Sequence, residues 1–191
     1  MDIKLFSDLI DALGKVMGAL KTLTGLPKSE RDKYRQVLDD TNQLIITTLT
    51  MIILRLGDLL RTDKDDEFLT GVYGLDNYDE WLKAEQAFRV CNSLRAAVNE
   101  AGDLKTHLAG KIAVGDWDAL LDQMNHILKT EGQLANFVAL RFDDLAARAK
   151  QAQPGTQGAT DVRTEVEATR DALKKEREQL LRQEVELLNM V

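Results

Sequence analysis

The sequence predicts an all-α protein: an antiparallel up-and-down bundle of four to five long helices with a charged, coiled-coil-like C-terminal helix. Three observations predict it. Only two prolines, Pro27 and Pro154, interrupt 191 residues that are rich in Leu, Ala and the charged types, an inventory suited to long unbroken helices rather than to short strands and turns. Apolar residues recur at helical intervals over most of the chain. Apolar residues make up 44 % of the chain and charged residues 30 %, the balance of a folded globular protein, and the length allows one core with an appendage.

The first helix is expected over residues 2–24. Phe6, Leu13 and Leu20 lie seven apart, with Leu9, Ile10, Val16, Met17 and Leu23 filling the stripe. Gly14 and Gly18 fall on the other side, each at a cost of about 1 kcal/mol relative to alanine. Either another helix approaches closely there, or this helix bends or leaves the bundle, which makes the two glycines hinge and membrane candidates. Gly25, Leu26 and Pro27 end the segment.

Ser29 and Asp32 resemble a capping box that opens a second helix running to Thr62, roughly 50 Å long at 1.5 Å per residue. Residues 41–54 (TNQLIITTLTMIIL) carry no charge. Their apolar side chains cover all sides in the latter half, so this segment is expected to be buried all round as the central element. It is shorter than the roughly 20 apolar residues that span a bilayer. Its β-branched run would suit a strand, but the helical flanks and the length decide for a helix.

Residues 58–80 hold eight acids and two bases and so carry -6 of the chain's -7 net charge. This acidic connection passes Gly71 and Gly74 to Asn77, which opens a third helix over 78–101 that buries Trp81, Leu82, Phe88, Cys91, Leu94 and Val98. After Gly102 a shorter helix is expected over 104–114. Asp116 caps a fourth from Trp117 to Ala152, with Gly132 inside it.

The polar run QPGTQGAT at 153–160 reads as a linker. The domain reading is therefore a bundle core over 1–152, the linker over 153–160 and an amphipathic charged helix over 161–191. In that last helix Val166, Leu173, Leu180 and Leu187 repeat at seven, joined late by Leu181, Val185 and Leu188. Asp171 with Lys175, and Glu178 with Arg182, have the favourable acid-first spacing. The early seam is thin, which predicts a partly exposed helix that either packs on its own bundle or pairs with another chain. Its four heptad residues are the interaction-surface candidates.

Function classes are narrowed mainly by exclusion. A net charge of -7 and a pI near 4.9 argue against the phosphate-neutralising surface of a nucleic-acid binder, although a basic patch can hide locally. The lone Cys91 excludes an internal disulfide and suits a reducing compartment. The start, Met1-Asp2-Ile3-Lys4, lacks a signal-peptide pattern, so a cytoplasmic location is expected. Leu104 precedes His107 and Gln123 precedes His126 where a di-iron bundle would place glutamates. Asp118, Asp122 and His126 share a helix face but lack partners from another helix. Asp63, Asp65 and Glu67 echo a calcium loop, yet Phe68 stands where its turn glycine belongs. No phosphate-cradling loop is present, and Cys91 lies on an apolar face. No catalytic, metal or cofactor site is expected and no small-molecule substrate is indicated; a small enzyme or ligand binder with a pocket between helices is the third possibility.

The leading expectation is a non-enzymatic scaffold or regulatory bundle that binds a protein partner or self-associates as an oligomer. The alternative is a membrane-acting bundle, pore-forming or lipid-binding, that uses the N-terminal helix and the uncharged segment 41–54. The first helix is nearly neutral, which weakens its attraction to anionic lipid.

Overall fold

A computed structural model describes residues 15, 18, 27–77, 92, 95–96, 98–100 and 114–188, with side chains inside these spans undescribed at 38, 41, 114–117, 119–120, 123, 127–137, 183–184 and 186–188. The chain is all-helical, and no strand occurs among the described residues. Four helices are bounded within them: α1 (Lys28–Leu60), α2 (Asp65–Tyr73), α3 (Val114–Gln151) and α4 (Gln157–Leu188). The helices expected over 2–24, 78–101 and 104–114 fall almost wholly outside these residues, and Gly14 lies outside them.

α1 begins directly after Pro27, ahead of the expected cap. Pro27 is extended, with φ -55 and ψ 144, and no side chain caps the helix. Its carbonyl instead accepts from the Glu30 and Arg31 N–H groups. Ser29 is therefore an interior residue, because the proline supplies the break that a capping side chain would otherwise mark. Asn42, Ile45, Leu49, Ile52, Leu56 and Leu59 form a buried stripe at alternating three- and four-residue steps, widened by Ile46 and Ile53. Each fully buried aliphatic side chain contributes about 1.5–3 kcal/mol.

The expectation that segment 41–54 is buried on all sides needs correction. Gln43 and Thr47 face solvent, and Leu54 is 59 % exposed. Absence of charge was a poor proxy for burial because the threonines need no buried partner. Thr47, Thr48 and Thr50 donate their hydroxyls to the carbonyls of Gln43, Leu44 and Ile46 one turn back. A β-branched polar run is accommodated in a helix in this way, with one face open.

The acidic connection is itself structured. Asp65–Tyr73 forms α2, with Phe68, Leu69 and Val72 buried along with the following Leu75. That spacing is a single helical stripe, and its burial outweighs the glycine. A Cβ at Gly71 would sit 2.5 Å from Leu59 Cδ2, so any larger residue there requires the Leu59 side chain of α1 to turn. Asp65, Asp66 and Glu67 occupy the first turn, where negative charge suits the helix dipole.

α3 and α4 form an antiparallel pair joined by residues 152–156. Gly155 adopts a left-handed φ of 74, and the Thr156 N–H and hydroxyl both donate to the Gln153 carbonyl. The segment expected as a linker thus contains this tight turn and the start of α4, where Ala159 is buried. α4 also runs antiparallel to α1. Arg163 reaches the Leu60 carbonyl at one end, and Asn42 reaches the Leu180 carbonyl at the other. Through this double contact α4 sits between α1 and α3.

Candidate interaction surface

The seam of α4 is a complete heptad pattern. Ala159, Val162, Val166, Thr169, Leu173, Glu176 and Leu180 are all buried, at alternating steps of three and four. Three of the expected surface residues, Val166, Leu173 and Leu180, therefore lie together inside the seam, while the side chain of Leu187 is outside the described residues. Pairing through them would require α4 to part from α1. Sequence reading found one position per heptad and missed the other, because Thr169 and Glu176 are polar and do not register as core.

These two polar positions differ sharply. Thr169 donates its hydroxyl to the Glu165 carbonyl and accepts from Arg141 Nε at 3.3 Å. Arg141 also pairs with Asp144 on α3 and Glu165 on α4, and Arg148 joins the same two acids. The hydrogen bond to Asp144, aided by Glu165, holds the Arg148 guanidinium above its usual value. Glu176 has none of this. It is only 8 % exposed, its Oε2 has no partner, and burial pushes its carboxyl up. Asn42, on the facing helix, spends one N–H on Leu180 at 3.5 Å and leaves Oδ1 unsatisfied.

At the other end of α4, Arg163 closes a corner. Its guanidinium donates to the carbonyls of Leu60 and Thr62, pairs with Asp65 Oδ1 and stacks 4.1 Å from the centre of the Phe68 ring. Asp65 also accepts from the Gly155 N–H at 2.9 Å. One arginine and one aspartate thereby tie the end of α1, the start of α2 and the α3–α4 turn together. The acid that echoed a calcium loop is thus already engaged.

Beside this corner, α1 and α4 border a groove of about 380 Å³. Its floor includes Leu54, Gly57 and Leu60, and its walls carry Arg61, Arg163, Arg170 and Lys174 with a single acid, Glu167. A Cβ at Gly57 would meet nothing within 4 Å, so the floor is open. Arg61 pairs with Asp58, Arg170 with Glu167 and Asp171, and Lys174 with Asp171. The hydrogen bond from Arg170 holds the Asp171 carboxyl below its usual value. The Arg61 and Lys174 pairs face solvent and are worth about 0–1 kcal/mol each, whereas the Arg170 side chain is only 19 % exposed. Each cation of the groove is therefore matched by an acid, Arg163 by Asp65 and the others by Asp58, Glu167 and Asp171.

Other large apolar side chains stand in solvent on the outer faces. Leu140 is 69 % exposed, and Tyr73, Leu181 and Val185 are also exposed. Gly18 is exposed, with no described atom within 4 Å of a built Cβ. Among the described residues no group of three or more His, Cys, Asp or Glu side chains could hold a metal ion. At the start of α1, Lys33 pairs with Glu100, and burial, helped by the charges of Glu30 and Glu100, pushes the Tyr34 phenol up to about 12. No protein-family model, curated protein or solved structure matches this chain.

Proposed function

We propose that this chain is a non-enzymatic interaction module of the cytoplasm. In this reading it is an up-and-down antiparallel bundle of four to five long helices that binds a protein partner or a second copy of itself. The supporting observation is the division of apolar surface. The α4 seam is spent inside the chain, while Leu54, Tyr73, Leu140, Leu181 and Val185 remain exposed on the outer faces. Contact is therefore assigned to those faces, with the charged side of α4 as a polar rim.

The test is association in solution. Deleting α4 would strip the cover from α1, so surface substitutions are the sound probe. Leu140→Glu and Val185→Glu are expected to leave helicity intact and to weaken association measured by sedimentation. A chain that stays monomeric at high concentration and binds no protein in quantitative cross-linking of cell extracts would sink the proposal.

A second reading has its own support. α1 contains an 18-residue window of mean hydropathy 1.6, of which only 39 % is buried, so by length and composition it is apolar enough to cross a membrane. Membrane action would then proceed by release of α1 from α4. Liposome flotation and dye leakage test it, and absence of both removes it.

A further inference from the structure

We infer that the distal half of the α1–α4 seam is a pH-sensitive latch, shut while the buried Glu176 carboxyl carries a proton and loosened once it ionises.

Two cross-helix bonds fix the register. Asn42 meets Leu180 and Leu60 meets Arg163, which places Glu176 level with Ile45, Ile46 and Leu49 of α1. All three are buried. Glu176 itself occupies a core position of the heptad seam between Leu173 and Leu180, and its Oε2 has no hydrogen-bond partner. A carboxylate there has lost water and gained nothing in exchange.

No cation among the described residues answers it. Residues 41–54 of α1 are uncharged, so the nearest α1 charges, Asp40 and Arg55, lie roughly 9 and 14 Å along the axis from that level. On α4, Lys175 and Arg177 flank Glu176 but project about 100° to either side. Its neighbours one turn away are Ala172, Leu173, Gln179 and Leu180, none of them charged. On α3, Arg141 is engaged toward the turn end with Asp144 and Glu165. The α3 positions further along carry Lys129 and Glu131, whose side chains lie outside the described residues, and then His126, which is exposed. Burial is the cause of the upward shift of the Glu176 carboxyl.

Protonation changes what the seam can hold. A neutral carboxyl is a hydrogen-bond donor, and Asn42, bonded to Leu180 one turn further along α4, keeps Oδ1 without a donor. An ionised carboxyl is a second acceptor in the same apolar seam, and water reaches it only when the helices part. Since the folded value is raised, the latch is fully closed below the ordinary glutamate value and loosens as pH rises toward the folded one. Parting here uncovers Asn42, Ile45, Ile46 and Leu49 of α1, while Arg163 and Arg141 keep the turn end of α4 attached.

The test is hydrogen exchange of the full chain, read by mass spectrometry from about pH 5 to about pH 8 and normalised to the intrinsic amide rate at each pH. The opening constant of amides in 42–49 and 170–182 should rise by about threefold or more, and no more steeply than about tenfold per pH unit, the limit for one carboxyl. Amides in 159–166, beside the closed polar network, should change by less than about twofold. Glu176→Gln should hold the distal amides at their acid-side protection throughout. It leaves His126 in place, so a histidine origin shows as a slope that survives the substitution. Glu176→Leu should be equally flat, which keeps the test open if glutamine there disturbs the fold, as circular dichroism would reveal. Distal protection in the wild-type chain that ignores pH overturns the inference. So does a rise shared equally by 159–166, or a slope that persists without the carboxyl.

Discussion

The first and second halves of α4 bury polar side chains on opposite terms. In the first half Thr169 is saturated by Arg141 and its own backbone, and Arg163 makes two carbonyl bonds, an ion pair and a ring contact. In the second half Glu176 is buried with an unpartnered oxygen, and Asn42 across the seam is only half satisfied. The same helix thus contains a polar network that closes and a polar seam that does not. A buried polar group stabilises when its partners are complete and costs on the order of 1–3 kcal/mol when they are not. The difference locates α4's strong attachment at the turn end and its weak attachment toward Leu180.

The strongest way to break this comparison is at the closed end. Arg163→Ala should lower unfolding free energy by about 2–4 kcal/mol, since two carbonyls and Asp65 lose their partner and Phe68 loses its stacked cation. Arg163→Lys should recover less than half, because an ammonium cannot fork to those acceptors while lying flat on a ring. Urea titration followed by circular dichroism measures both. Gly71→Ala should change stability by less than about 1 kcal/mol, because the helical gain of alanine offsets the turn it forces on the Leu59 side chain.

The open end should respond with the opposite sign. Glu176→Leu is expected to stabilise the fold by about 1–2 kcal/mol, and a loss of stability there would undo the comparison. The carboxyl has a folded value raised by burial. Its contribution is therefore full below the ordinary glutamate value and is lost as pH rises through the folded value. The advantage of Glu176→Leu over wild type should accordingly shrink on acidification, read as the difference between their urea midpoints across pH.

Two smaller effects sharpen the contrast between core and groove. Gly57→Ala should stabilise by about 0.5–1 kcal/mol, because the added methyl meets nothing. Asp171→Asn should change stability by less than about 0.5 kcal/mol at neutral pH. The depressed Asp171 carboxyl contributes only above its ordinary value and loses that contribution as pH falls. Its surroundings are solvent, so the loss is slight.

Legibility followed the same division. Long apolar periodicity located α1, α3 and α4, but the starts are displaced: Pro27 acts where a side-chain cap was expected, α3 runs through the expected Gly115 break and Asp116 cap, and α4 begins at Gln157 rather than 161. α2 escaped because Gly71 and the acids resemble a connection, although Phe68, Leu69, Val72 and Leu75 already draw a helical stripe. Val166, Leu173 and Leu180 were found by their heptad spacing, and Thr169 and Glu176 were not, since composition cannot tell a satisfied core threonine from a surface one. The groove was least legible of all. Its floor comes from 54–60 and its cations from 61 and 163–174, and nothing local in either segment announces the other.

The pairing of α1 with α4 also has a consequence in time. Asn42 and Leu180 are separated by 138 positions, and Arg163 meets Leu60 across 103. Chains elongate at about 5–20 residues per second, so α1 emerges from the ribosome roughly ten seconds before the helix that covers it. During that interval its stripe of isoleucines and leucines is an unpaired apolar ribbon, the kind of segment that chaperones hold. Burial of the α1 stripe is therefore gated by synthesis of α4, and truncation before Gln157 should yield an aggregating product rather than a smaller folded one.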